Sequence, residues 1–142
     1  MPKKPQTALY NLEAEISVLG SILIKPKSFN EIIDFLGADE FWDSKNQLIY
    51  ETMVGLVEKE EPIDLSYLSL VLQGRGQLGQ VGGVTYLSSL TDHLPDSKSI
   101  RAYAQKVHDY SSLRRLALAG QQIYEVAQDG HGPDCSSISN PY

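Results

Sequence analysis

The chain is 142 residues long, 42% hydrophobic and 21% charged, which is enough apolar material for one domain-sized core and too much for a disordered acidic segment. Its 18 acids against 12 bases leave a formal charge of -6, the wrong sign for a domain that neutralises many phosphates unaided. No apolar run approaches the roughly 20 residues of a membrane-spanning helix, and Met1-Pro2-Lys3-Lys4-Pro5 leads into no apolar signal-peptide core.

In chain order the pattern reads as helix after helix. Leu12, Ile16, Leu19 and Leu23 fall at helical spacing, widened by Val18 and Ile22. Asn11 is placed to cap this helix, Glu13 and Glu15 sit in its first turn and are expected to face water, and Lys25-Pro26 ends it. Ser28 and Glu31 have capping-box spacing ahead of Phe29, Ile32, Ile33 and Leu36, with Gly37 as the stop. Phe41-Trp42 precede a third helix, where Ser44 and Gln47 repeat the capping spacing and Leu48, Ile49, Thr52, Met53, Leu56 and Val57 form the inward face. Glu58-Lys59-Glu60-Glu61 reads as a solvated end before Pro62. Asp64 caps a fourth helix carrying Leu65, Leu68 and Leu72, and a glycine-rich stretch runs from Gly74 to Gly83. A short fifth helix uses Val84, Leu87, Leu90 and Leu94 and stops at Pro95. Nothing alternates with period two, so the fold class is all-α.

The sixth element is longer. From about Ser97 to Gln128 there is no proline, and Gly120 is the single glycine. Ile100, Tyr103, Val107 and Tyr110 make one seam; Leu113, Leu116, Gly120, Ile123 and Ala127 make a second, offset by an extra step of three. About 30 residues at 1.5 Å per residue give a helix of roughly 45 Å, longer than such a small domain can cover. The uncovered seam implies another chain; the alternative is a break at Tyr110-Ser111-Ser112 that closes the two halves into a hairpin.

Motifs for chemistry are sparse. Cys135 is the lone cysteine, so no internal disulfide exists. His93, His108 and His131 have no ligand-like spacing, and no metal site is expected. Gly74-Arg75-Gly76-Gln77-Leu78-Gly79 matches G-x-G-x-x-G in letters, but a helix precedes it where a dinucleotide site needs a strand. Glu13 and Glu15 are two residues apart on different helix faces and make no acid–base pair. Arg114-Arg115 fit a helix surface better than a phosphate site.

Asn11-Leu12-Glu13-Ala14-Glu15 with Val18-Leu19-Gly20-Ser21-Ile22-Leu23 resembles the opening of the N-terminal domain of the DnaB-type replicative DNA helicase. The likeness continues in order through Asp39-Glu40-Phe41-Trp42, Glu61-Pro62-Ile63-Asp64-Leu65, Gly82-Gly83-Val84-Thr85-Tyr86-Leu87, and Ala102-Tyr103-Ala104 with Val107 and Leu113-Arg114-Arg115-Leu116, spanning about Gln6 to Gly130. The resemblance implies a helical head of about five helices, residues 1–95, and a long helix, 96–130, that is the first half of a helical hairpin. Residues 131–142 match nothing in the family pattern and read as an unstructured tail and a candidate for non-native sequence, which makes the chain a domain fragment.

By the same resemblance the domain assembles into a ring through head and hairpin contacts, docks the primase C-terminal domain, and in some bacteria meets a helicase loader. DNA is engaged only through the parent assembly, in the bacterial cytoplasm at the nucleoid. ATP and Mg belong to the motor domain, so no cofactor and no catalytic residue is expected on this chain. Tyr86, Tyr103, Ala117, Ile123 and Val126 correspond to the primase-facing or inter-subunit surface; core packing is the other reading of Tyr86 and Ile123. Ala117 is smaller than the branched residue common in the family. Asn46 stands in place of a frequent histidine and Ser99 in place of a frequent asparagine, both expected to alter caps or local hydrogen bonds rather than the fold. Two alternatives remain, the helicase-binding domain of primase and a helical nucleic-acid-binding module.

Overall fold

The computed structural model describes residues 8–92 and 99–130. Among the described residues every regular element is helical, as the sequence pattern requires. Helix α1, Leu12–Ile24, begins where Asn11 turns extended and its side-chain oxygen accepts the Ala14 N–H at 3.0 Å. It stops at Lys25, because Pro26 has no N–H with which to continue the ladder. Its buried face is Ala14, Glu15, Val18, Leu19 and Ile22.

The expected helix over 28–36 is not α. A 3-10 helix runs from Pro26 to Glu31, and turns follow. Ser28 does not cap: its hydroxyl donates backward to the Lys25 carbonyl at 2.7 Å. The tighter wind sets residues three apart on one side, so Phe29 and Ile32 still enter the core, with Leu36 beyond them. Gly37 is not a helix stop either. Its N–H donates to Glu40 Oε2 at 2.7 Å, opening a second 3-10 turn, Ala38–Glu40.

Helix α2, Ser44–Glu58, is capped one residue earlier than expected, by Asp43, whose carboxylate accepts the Lys45 N–H at 2.8 Å. It sends Ile49, Tyr50, Thr52, Met53 and Leu56 inward. Tyr50 meets Phe29 edge-on at 5.3 Å and Phe41 at 4.7 Å, and its hydroxyl donates to the Leu36 carbonyl at 2.7 Å. Burial and the Glu40 carboxylate both push its pKa far up. The helix ends as the Glu61 N–H bonds back to Leu56 O, with Glu60 at φ 56° in the left-handed position usually taken by glycine.

Asp64 caps α3, Leu65–Gly74, as expected, accepting the Tyr67 N–H at 2.8 Å. Helix α4 is Gly83–Ser89; Leu87 and Leu90 are buried, whereas Val84, expected inside, is half exposed. Leu94 and Pro95 lie outside the described residues, as do His93, His131, Cys135 and the tail.

Helix α5, Ile100–Asp129, is continuous through Tyr110-Ser111-Ser112, so the expected alternative of a hairpin break there does not hold. The chain divides into two compact units between Ser111 and Ser112. In the first, α5 buries Ile100, Ala104, Val107 and Ser111, a seam rotated from the expected one, in which Tyr103 and Tyr110 are half-buried. His108 Nδ1 contacts the Glu40 carboxylate at 2.5 Å, and Arg101 lies over Phe35 while donating to the Glu31 carbonyl at 3.2 Å. In the second unit, the α5 residues from Ser112 on bury no side chain.

Candidate partner-binding site

Tyr86 is held by Gly82 ahead of α4 and by Lys45 and Asn46 on α2. Gly82 adopts φ +93°, and a Cβ there would lie 2.7 Å from Tyr86 Cβ, so the double glycine lets the tyrosine press against bare backbone. The Tyr86 hydroxyl donates to Asn46 Oδ1 at 2.6 Å, and Lys45 Nζ sits 4.3 Å from the ring centre. Asn46 is fully buried, and its Nδ2 donates to Glu15 Oε1 at 3.0 Å. A carboxylate only accepts, so the Asn46 amide is fixed in one orientation and its oxygen is left for Tyr86. The Glu15 carboxylate also takes the N–H groups of Trp42, just before α2, and of Asp43, its N-cap, at 2.6 and 3.3 Å.

Two sequence expectations fail here. Glu15 does not face water; it is 1% exposed, because it shares the inward face with Val18, Leu19 and Ile22, and three donors compensate its burial. Asn46 does not act locally; its partners lie 31 and 40 residues away. The spacing of Glu15 to Val18 and Ile22 was the available signal, an acid on an apolar stripe. Burial, with the Asp43 and Glu15 carboxylates nearby, outweighs the Asn46 hydrogen bond and pushes the Tyr86 hydroxyl up to about 12.

Next to this network Tyr10 stacks on Trp42, with ring centres 3.8 Å apart and planes 11° from parallel. Tyr103 lines a cleft of about 220 Å³ with Asn11, Glu13, Ala14, Ala102 and Lys106. Its hydroxyl has no hydrogen-bond partner among the described residues and no access to solvent; desolvation, then the Glu13 carboxylate, raises its pKa. Ala117, Ile123 and Val126 are exposed on α5. At about 100° per residue Val126 lies about 60° from Ile123, while Ala117 is about 120° from Ile123 and opposite Val126. Tyr124, about 20° from Ala117 around the helix and 64% exposed, is not among the residues the sequence pattern singles out.

Among the described residues no group of three or more histidine, cysteine or acidic side chains is placed to hold a metal ion, and no helix is long and apolar enough to cross a membrane.

Residues 7–109 match the DnaB-like helicase N terminal domain. This chain belongs to that family. It is 34% identical over 129 residues to the replicative DNA helicase DnaB of Haemophilus influenzae, covering 91% of this chain and 28% of that protein. It is 36% identical over 121 residues to the replicative DNA helicase DnaC of Bacillus subtilis, covering 85% and 26%. The chain thus spans little more than a quarter of the length of these curated relatives. The N-terminal domain of DnaB helicase from Mycobacterium tuberculosis superposes with a TM-score of 0.85 at 27% identity, over 93% of this chain and 95% of that one. A DnaB-like replicative helicase described with its interactions with primase gives a TM-score of 0.73 at 29% identity, over 91% of this chain and 30% of that one. The all-α helicase-domain fold implied by the ordered motifs is the fold found.

Proposed function

We propose that this DnaB-family domain assembles a helicase ring and docks primase, while leaving the motor's chemistry to another domain. The observation that carries the docking half is the likeness, at a TM-score of 0.73, to a helicase described with its primase interactions. The assembly half is supported by Leu116 and Ile123, 69% and 70% exposed on α5, since apolar side chains aligned on one helix face gain most by burial against another chain. Docking or inter-subunit contacts are assigned to Tyr86 and Tyr103 in the first unit and, separately, to Ala117, Ile123 and Val126 in the second.

The net charge of -6 suits protein partners, the primase C-terminal domain or a helicase loader, better than direct contact with DNA. DNA is engaged through the whole ring in the bacterial cytoplasm, and ATP with Mg2+ belongs to the part of the helicase beyond this domain. Mixing the chain with the C-terminal helical domain of its cognate primase is expected to give a co-migrating complex in gel filtration. Tyr86→Ala and Ile123→Glu each weaken it at least tenfold, with circular dichroism confirming the fold. Absence of a complex at high micromolar concentration overturns the docking reading.

A further inference from the structure

Lys45 is the second residue of α2, where the aligned peptide dipoles present partial positive charge and a cation is disfavoured. No carboxylate of the described residues forms an ion pair with its Nζ. What the ammonium has instead is an aromatic face. It stands 4.3 Å from the Tyr86 ring centre, within the range at which a cation is drawn to a π system. A ring holds a cation in place without giving its N–H groups a directed acceptor, so the three donors of the ammonium stay open. Tyr86 is otherwise committed. Its hydroxyl donates to Asn46 Oδ1 at 2.6 Å, and its Cβ faces Gly82, where an added Cβ would lie only 2.7 Å away. The tyrosine is fixed at both ends and half-buried, and the group standing over it is the Lys45 ammonium.

We propose that the head meets its protein partner through Lys45, in an ion pair with a carboxylate of the partner, and that Tyr86 is a positioning residue acting through Lys45. This rests on the docking reading above and names the chemistry of its contact in the first unit. Charge selects the partner group. At a net charge of -6 most of the surface repels an acidic group, so an unpaired cation marks a place where one is welcome, and where a wrong register is penalised. A basic or purely apolar partner group would leave the ammonium desolvated without an acceptor, at a net cost. The ring also prepares the contact. A lysine free in solvent spends side-chain entropy on each ion pair that it makes; one already held over an aromatic face spends less, which is the usual advantage of preorganisation. Removing the tyrosine therefore weakens docking through loss of the held cation, without any contact between the ring and the partner.

The test measures the affinity of the full chain for the C-terminal helical domain of its cognate primase by isothermal titration calorimetry at several salt concentrations. Lys45→Met is expected to weaken binding about tenfold and to flatten its salt dependence, because one screened ion pair is gone. Lys45→Glu weakens it further. Lys45→Arg keeps both the charge and the attraction to the ring, and holds affinity within about threefold of wild type. The role of Tyr86 is read from a double-mutant cycle. Tyr86→Ala, which alone costs at least tenfold, is expected to cost less than about threefold once Lys45 is methionine. Circular dichroism checks the fold of each variant, and Tyr86→Leu replaces Tyr86→Ala in the cycle where the alanine loses helix content. Unchanged affinity and salt dependence in Lys45→Met and Lys45→Glu overturn the inference, and with Ile123→Glu still weakening the complex they spare the docking reading. Additive losses in the cycle overturn the positioning role of Tyr86. A wild-type chain that binds no primase overturns the docking reading and this inference with it.

Discussion

Between Ile100 and Ser111, α5 buries four side chains; between Ser112 and Asp129 it buries none. Both stretches carry apolar residues at helical spacing, yet their polar groups behave differently. In the first, His108 reaches the Glu40 carboxylate and Arg101 reaches the Glu31 carbonyl, partners 68 and 70 residues away. In the second, the hydrogen bonds described stay on the helix itself, Gln121 to Glu125 at 3.2 Å and Arg115 to Ser112 at 3.4 Å. Such local pairs add only about 0.2–0.5 kcal/mol each. Periodicity therefore marks a face that seeks cover, and burial marks the stretch that has found it.

The difference breaks most visibly by placing the same charge on both stretches. Val107→Asp buries an unpaired carboxylate and is expected to remove about 4 kcal/mol of stability in urea unfolding. Ile123→Asp, on the exposed stripe, is expected to change it by no more than about 0.5 kcal/mol. Equal losses would mean that Ile123 is covered within the monomer.

The head tests the polar side of the same rule. Glu15→Ala strips the Trp42 and Asp43 N–H groups and the Asn46 amide of their shared acceptor, and is expected to destabilise by about 2–3 kcal/mol. A loss below about 0.5 kcal/mol would show that water replaces the carboxylate freely. Tyr86→Phe gives a smaller effect, about 1 kcal/mol at neutral pH, by leaving Asn46 Oδ1 without its donor. Its pH dependence has a definite sign. The folded pKa is raised from the ordinary 10.0 to about 12. The stability gained is therefore complete below pH 10 and is lost as pH rises toward 12, where the unfolded chain ionises first. Urea titrations from pH 9 upward are expected to show wild type converging on Tyr86→Phe; a constant gap would remove Tyr86 from the alkaline transition.

What the sequence made legible follows the range of each interaction. The starts of α1 and α3 were readable because Asn11 and Asp64 cap donors three residues on. The uncovered stripe beyond Ser111 was readable because it is periodicity alone. The segment after Pro26 was misread as α-helix since Phe29 and Ile32 suit either wind, and the backward hydrogen bond of Ser28 decides for the tighter one. The head of the site stayed hidden for the opposite reason. Glu15, Asn46 and Tyr86 are ordinary polar residues in three separate helices, and only folding joins them.

The Glu15 bridge also ties the dynamics of two helices together. Because α1 supplies the acceptor for the Trp42 and Asp43 amides, those two N–H groups, though they lie at the threshold of α2, exchange with solvent only when α1 withdraws its carboxylate. The opening of the head is thereby made cooperative across a sequence separation of 27 residues. Two helix starts that would otherwise fray independently share a single opening event.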